Sequence, residues 1–332
     1  MLSLVTGGAG FIGAHTTNEL IKMGHQVIVL DDLSGGFIEN VNTNATFIKG
    51  SVTDESLVKK IFQDNKIDYV FHLAAYAAEG LSHFIRHFNY ENNLIGSINL
   101  INESIKSKVK CFVFTSSIAV YGAGQVPMTE DTQPIPEDPY GISKYAVEMD
   151  LRTANEMFGL NYIIFRPHNV YGEYQNIGDR YRNVIGIFIN QLMQGKELTV
   201  FGDGTQTRAF SYIKDVAPHI AQSINNTEAY NQVFNIGADK NYTVKELAET
   251  IMKVMGTRSE LHFLPARNEV LHAYSDHTKA KNAFKIDENG FTSLEKGINK
   301  MASWAKEVGA RQSTPFKNIE ILEKLPKVWL EN

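Results

Sequence analysis

Apolar positions follow two rhythms along the first half of this 332-residue chain. Short runs rich in apolar residues recur at residues 2–5, 26–30 (QVIVL), 46–49 (TFIK), 68–73 (DYVFHL), 110–115 (KCFVFT) and 161–165 (NYIIF). Continuous runs of this length predict strands buried on both faces, the signature of a parallel sheet. Between them lie segments of helical period, predicted at 14–23, 55–63, 90–107 and 140–158; the third carries Leu94, Ile98, Ile101 and Ile105 on one face. Thr53 or Asp54 can cap the second. Strand and helix in alternation predict a doubly wound α/β fold with right-handed crossovers, whose ligands sit beyond the carboxyl ends of the strands. After residue 165 the alternation loosens. A polar loop spans 172–182, a helix is expected at 183–194, and strands at 198–201, 232–236 and 261–264. The 232–236 run is expected to rejoin the sheet. A smaller, discontinuous α/β lobe follows, with one domain at 1–168 plus about 211–237 and the other at about 169–210 and 238–332.

The turn after the first strand reads Thr6-Gly7-Gly8-Ala9-Gly10-Phe11-Ile12-Gly13 and opens directly into a helix. Gly7, Gly10 and Gly13 are three apart. In the strand–turn–helix context they allow a tight turn, close backbone approach to a pyrophosphate, and packing of helix on strand. The helix N-terminus offers unpaired N–H groups and partial positive charge to phosphate. The second strand ends at Asp31, where a carboxylate accepts hydrogen bonds from an adenosine ribose and repels a 2′-phosphate. The stretch therefore predicts a Rossmann-type domain that takes NAD rather than NADP.

Composition narrows the class. Hydrophobic residues make up 43% and charged residues 21%, enough apolar material for a full core. The net charge of −5 without a basic run argues against nucleic acid. No apolar stretch reaches membrane-spanning length, and the chain start carries no leader pattern. The one cysteine, Cys111, sits in an apolar run, which points to a reducing, cytoplasmic setting. His262, His272 and His277 lack the spacing of a zinc site, so no metal is expected.

Beyond the fifth strand come Ser116 and Ser117, then a loop with four prolines, then Tyr140 at a helix start. Lys144, four residues on, shares its face. A phenol of pKa about 10 is a weak base at neutral pH. A nearby ammonium and a cationic nicotinamide favour the phenolate, and a serine hydroxyl can share the hydrogen bond to a reacting oxygen. Ser117, Tyr140 and Lys144 are thus the candidate catalytic set.

TGGAGFIG, Asp31, HLAA (72–75), TSSIAVYG (115–122), YGISK (140–144), RPHNVYG (166–172) and TRAFSYIKDV (207–216) occur in this order across nearly the whole chain. The set resembles the extended short-chain dehydrogenase/reductase family, specifically nucleotide-sugar epimerases of the UDP-glucose 4-epimerase type. The resemblance implies an isomerase of carbohydrate metabolism, with NAD in the N-terminal lobe and a UDP-sugar or other nucleotide sugar in the C-terminal lobe. Hydride would leave sugar carbon 4, the 4-keto sugar would rotate, and the hydride would return to its other face. Tyr140 matches the base, Lys144 the lysine that holds the nicotinamide ribose, and Ser117 the catalytic hydroxyl. Cofactor contacts are implied at Gly7, Gly10, Phe11, Ile12, Gly13, Asp31, Asp32, Ser51, Val52, Leu73, Ala74, Ala75, Tyr140, Lys144 and Pro167. Asn169, Asn183, Arg208 and Arg267 match positions that hold the sugar diphosphate, and guanidinium geometry suits that task.

Departures from the family pattern also inform. Ser51 replaces an aspartate that bonds adenine, and Ala77 replaces a lysine that some members carry after HLAA. Ala273 falls where a bulky residue restricts the sugar pocket, which implies room for an N-acetyl group. The family's 4,6-dehydratases place Asp-Glu at the Ile118-Ala119 position, and its decarboxylases a glutamate at Ala119, because those eliminations need an added acid or base. Ile118 and Ala119 supply neither, which favours epimerisation over a decarboxylase or dehydratase. A 4-reductase would reveal itself by consuming added NADPH. A catalytically silent NAD-sensing or structural protein would not need the Ser117, Tyr140 and Lys144 set. Helices 90–107 and 140–158 resemble the pair that forms a homodimer interface in this family.

Overall fold

The computed structural model describes residues 1–124, 126–266, 270–287, 290–313 and 315–330. Its central sheet has seven parallel strands. In chain order they are β1 (Leu2–Thr6), β2 (Gln26–Asp31), β3 (Thr46–Lys49), β4 (Tyr69–His72), β5 (Cys111–Thr115), β6 (Tyr162–Pro167) and the strand Gln232–Ile236. In space β1 lies beside both β2 and β4; β3 closes one edge and Gln232–Ile236, paired to β6, closes the other. The order therefore reverses direction between β1 and β4, and the crevice at their carboxyl ends is where such sheets bind ligands.

The strand interiors show why the apolar runs are continuous. Alternate side chains project to opposite faces. Val5, Val29, Phe71, Val113 and Phe165 join one core, and Leu4, Ile28, Val70, Phe112 and Ile164 join the other. Both faces are covered by helix, so neither set could be polar. Each fully buried phenylalanine stabilises the fold by about 1.5–3 kcal/mol. Helix α1 (Phe11–Lys22) packs on the first face; α2 (Glu55–Asp64), α5 (Gly96–Lys106) and α6 (Pro139–Phe158) pack on the second. Asp54 caps α2 through a bond from the Leu57 N–H, 2.9 Å.

The segment read as one helix from 90 to 107 is more complex. The short helices α3 (Glu79–Ser82) and α4 (Arg86–Tyr90) lead into a π-helical turn, Glu91–Ile95, before α5 begins. Apolar spacing cannot distinguish this from regular helix, and the widened turn contains Asn93. Its side chain accepts from the Tyr76 N–H (2.8 Å) and donates to the Tyr76 carbonyl (3.2 Å). The π turn thus pins the loop after β4, as such turns often do at functional sites.

Smaller sheets sit beyond β6. Val170–Tyr171 pairs with Ser211–Tyr212, Leu198–Phe201 with Leu261–Leu264, and Thr207–Ala209 lies between Asn241–Thr243 and His272–Ala273. Helix α7 (Val184–Met193) and the helices Val244–Met255 and Leu294–Val308 support them. The latter two were not anticipated from the sequence. Thr243 and Glu246 form a reciprocal capping box on the former, a start signal present in the sequence. Among the described residues, no helix is long and apolar enough to cross a membrane.

Candidate active site

Two cavities meet beyond the sheet's carboxyl edge. The first, about 350 Å3, runs over the glycine turn from Asp31 and Ser51 to Tyr140 and Lys144. The second, about 270 Å3, extends from Ser117 to Arg208 and Ala273. Ser117, Pro167, Asn169, Arg182 and Asn183 line both.

The first cavity is made mostly of backbone. Gly7 has φ +72°, and a Cβ on it would lie 2.7 Å from the Ala74 nitrogen; a Cβ on Gly13 would lie 2.1 Å from the Gly7 carbonyl oxygen. Neither position admits a side chain. Gly10 provides no side-chain cap for α1, so first-turn N–H groups remain available to an anion. Asp31 accepts from the Ala9 N–H (3.0 Å) and the Leu33 N–H (2.8 Å). Its carboxyl is pushed up by burial despite these bonds. The predicted ribose acceptor therefore also ties the glycine turn to the end of β2. Every residue matched to a cofactor contact in the sequence lines this cavity. Backbone donors at a helix start, glycines that a side chain would block and an acidic residue at the second strand end fit a dinucleotide.

Tyr140 lines the first cavity next to Ser117, which lines both. Pro139 begins α6, and Asp138 caps it by accepting from the Gly141 N–H at 2.9 Å. A Cβ on Gly141 would lie 2.5 Å from the Ala119 carbonyl oxygen, so the helix start is pressed against the turn that carries Ser117. Ser117 accepts from the Ala119 N–H (3.1 Å) and hydrogen-bonds to Tyr140. Lys144 is buried. It donates to the Thr115 carbonyl (2.8 Å) and lies over the Phe114 ring (4.7 Å) and the Tyr140 ring (5.9 Å).

Burial acts on both members of the Tyr140–Lys144 pair. Burial raises the Tyr140 phenol above its ordinary value, against the pull of the Ser117 hydrogen bond. Burial also lowers Lys144 to about 7, with Glu148 opposing. Lys144 alone therefore does not make Tyr140 a phenolate; desolvation acts on both groups toward neutrality. Glu148, one turn beyond Lys144, is itself held by Arg166 (2.5 and 2.9 Å) and Ser116 (2.5 Å). Arg166 also donates to the Tyr121 hydroxyl at 2.7 Å.

The second cavity is made of side chains from distant segments. Asn183, in the left-handed region at φ +66°, precedes α7 and donates to the Val170 carbonyl at 2.8 Å. The Arg208 guanidinium is held by the carbonyls of Thr207 (2.9 Å), Leu271 (3.0 Å) and Val270 (2.6 Å). Ala273 pairs in register with Arg208 and packs with Ile118 and Met128. Arg267 lies outside the described residues.

Sequence reasoning missed Tyr76 and Arg182. Their signals were weak: Tyr76 is a lone aromatic in an alanine-rich turn, and Arg182 stands next to Asn183 in a polar loop. His168 was also passed over. Its Nε2 lies 2.9 Å from the His277 Nε2, and the His277 Nδ1 lies 2.6 Å from Asp239.

A seven-stranded doubly wound sheet with a glycine turn at its switch point, and Ser117, Tyr140 and Lys144 lining the cavity beyond it, define a dinucleotide-binding oxidoreductase-type scaffold. Residues 3–237 match the model of the NAD dependent epimerase/dehydratase family, and the chain belongs to that family. It is 33% identical over 334 residues to the UDP-glucose 4-epimerase of Halalkalibacterium halodurans, covering 96% of this chain and 99% of that protein. The crystal structure of UDP-glucose 4-epimerase with UDP-glucose from Thermotoga maritima superimposes with a TM-score of 0.88 at 36% identity, covering 93% of this chain and 99% of that one. The Thermus thermophilus UDP-glucose 4-epimerase complex with NAD gives 0.86 at 28% identity, with 92% and 99% covered.

Proposed function

We propose that this chain is an NAD-dependent nucleotide-sugar 4-epimerase, an isomerase acting on a UDP-sugar of the glucose/galactose type. The observation that carries the reading is the junction itself. Ser117 lines both cavities, Tyr140 and Lys144 line the first beside it, and Ile118 and Ala119 next to Ser117 add no carboxylate. Relatives across nearly the full length carry the same activity in their names. Reversible oxidation at one carbon needs one base and one hydride acceptor, and nothing more.

Gly7, Gly10, Phe11, Ile12, Gly13, Asp31, Asp32, Ser51, Val52, Leu73, Ala74, Ala75 and Pro167 would hold NAD, with Tyr140 and Lys144 at its reactive end. When bound, NAD supplies the hydride acceptor and returns the hydride, so it is regenerated each cycle. Tyr140 removes the proton from the sugar 4-hydroxyl through its Oη, and Ser117 shares that hydrogen bond. The phenol needs help to ionise, given its burial. A cationic nicotinamide beside it provides that help, and Lys144 adds to it when protonated. Asn169, Asn183, Arg208 and Arg267 would hold the sugar diphosphate. Ala273, only 8% exposed and small, leaves room beside Arg208 for an N-acetyl group; comparable turnover of UDP-glucose and UDP-N-acetylglucosamine supports that room, and failure to bind the latter removes it.

The chain would divide into an NAD domain, 1–168 with about 211–237, and a sugar lobe. Ile95, in the π turn before α5, and Ile142 and Met149, on α6, are 40–51% exposed, which supports a homodimer; a monomer by sedimentation at micromolar concentration would count against it. A single buried cysteine supports a cytoplasmic location, to be checked by cell fractionation. The function itself is tested by offering purified protein a panel of UDP-, dTDP- and GDP-sugars. An isomer of unchanged mass is expected. Loss of water or carbon dioxide would refute the reading.

A further inference from the structure

The cofactor cavity is poor in positive charge. Of the described residues that line it, only Lys144 and Arg182 are basic, while Asp31, Asp32 and Glu79 are acidic. Lys144 is committed to the Tyr140 end through its bond to Thr115. The loop after β4 reads Leu73-Ala74-Ala75-Tyr76-Ala77-Ala78-Glu79-Gly80 and offers no cation. A dinucleotide brings two phosphate charges into this space, and a helix N-terminus contributes only about half a unit charge against them.

Arg182 reaches this cavity from the opposite wall. It belongs to the loop before α7, yet its guanidinium carbon lies 4.8 Å from the centroid of the Tyr76 ring. Its Nη2 stands against the turn after β2, since a Cβ on Gly35 would lie 3.1 Å from it. The adjacent Gly36 is pressed onto the glycine turn: a Cβ there would meet the Ala9 carbonyl oxygen at 2.4 Å and the Gly10 nitrogen at 2.7 Å. The guanidinium is thereby placed beside the N-terminus of α1. It is also held firmly. Asp179 takes its Nε at 2.7 Å and its Nη2 at 2.6 Å. Tyr76, beneath it, is backed by Phe316 (5.3 Å) and Phe88 (5.4 Å), and its backbone is gripped by Asn93. A planar cation fixed by a carboxylate and an aromatic ring is suited to a diphosphate.

We propose that Arg182 is the clamp on the pyrophosphate of the bound dinucleotide, delivered across the cleft in place of a cation on the loop after β4. The assignment rests on the NAD reading above. It makes cofactor retention depend on a residue outside the glycine turn, and ties the wall that precedes α7 to the nucleotide.

The test compares wild type, R182A, R182K and R182Q. Nucleotide released on denaturation gives NAD occupancy; titration gives the Kd for NAD and, separately, for UDP; thermal unfolding reports the fold. R182A is expected to lose most of its co-purified NAD and to raise the NAD Kd by about 10- to 100-fold, with the UDP Kd changed less than about twofold. R182K is expected to recover part of the affinity. If R182A does not fold, R182Q keeps a planar polar head without the charge and should show the same loss. Full NAD occupancy in the folded variants would overturn the proposal. So would intact NAD binding with weakened UDP binding, which would assign the arginine to the substrate diphosphate. A wild-type protein that neither carries nor binds NAD would instead overturn the cofactor reading, and the proposal with it.

Discussion

The two halves of the cleft are built from different materials. The cofactor half is backbone: glycines at Gly7 and Gly13 that leave no space for a Cβ, a helix N-terminus, and Asp31 bonded to two main-chain N–H groups. The half proposed to take the sugar is side chain: Asn183, Arg208 and Ala273 arrive from three separate segments, and Arg208 is anchored by carbonyls at 207, 270 and 271. The first half is therefore stiff and coupled to folding. The second can be altered residue by residue, which is where substrate choice can vary on a constant scaffold.

The junction belongs to both halves and should be the most sensitive point. Tyr140→Phe removes the base and leaves the helix intact. The account expects kcat to fall by about 10²- to 10⁴-fold, with NAD content unchanged when nucleotide is extracted and quantified. A fully active variant would show that the base is elsewhere.

In the proposed sugar half, Arg208→Ala would remove charged hydrogen bonds to a bound phosphate, worth about 1.5–3 kcal/mol. KM for the UDP-sugar should rise by about 10- to 100-fold, with NAD occupancy unchanged. In the cofactor half, Gly13→Ala forces a Cβ to within 2.1 Å of a carbonyl oxygen. Urea unfolding should show a loss of about 1–3 kcal/mol, together with loss of bound NAD. Equal losses of stability from both variants would erase the distinction between the halves.

The last test concerns the charge of Lys144. Burial lowers it from 10.5 to about 7. Between those values the unfolded chain binds a proton that the native protein does not, so this residue's contribution makes stability rise with pH across that window. Lys144→Met removes it. The melting temperature of wild type minus that of the variant should increase from pH 7 to pH 10; a constant difference would mean that the lysine is not shifted.

The same contrast explains what could be read in advance. β1 to β6, the glycine turn and the Tyr140 helix are local features: apolar runs, fixed offsets, and a proline at a helix start. Epimerisation over elimination was legible from Ile118 and Ala119. Arg182 was not, because its position depends on Asp179, Tyr76 and Gly35 converging from three segments. The π turn at Glu91–Ile95 was hidden because apolar spacing reads the same in regular helix, and its Asn93 bonds a loop seventeen residues earlier. The depressed Lys144 was hidden because burial, not sequence spacing, decides its charge.

The central claim is that one hydride leaves sugar carbon 4 and returns to the same carbon within a single binding event. UDP-glucose carrying deuterium at carbon 4 tests it directly, in the presence of excess unlabelled NADH and with the product analysed by mass and NMR. UDP-galactose that retains the deuterium at carbon 4 is expected. Product in which that deuterium has been replaced by hydrogen would contradict it.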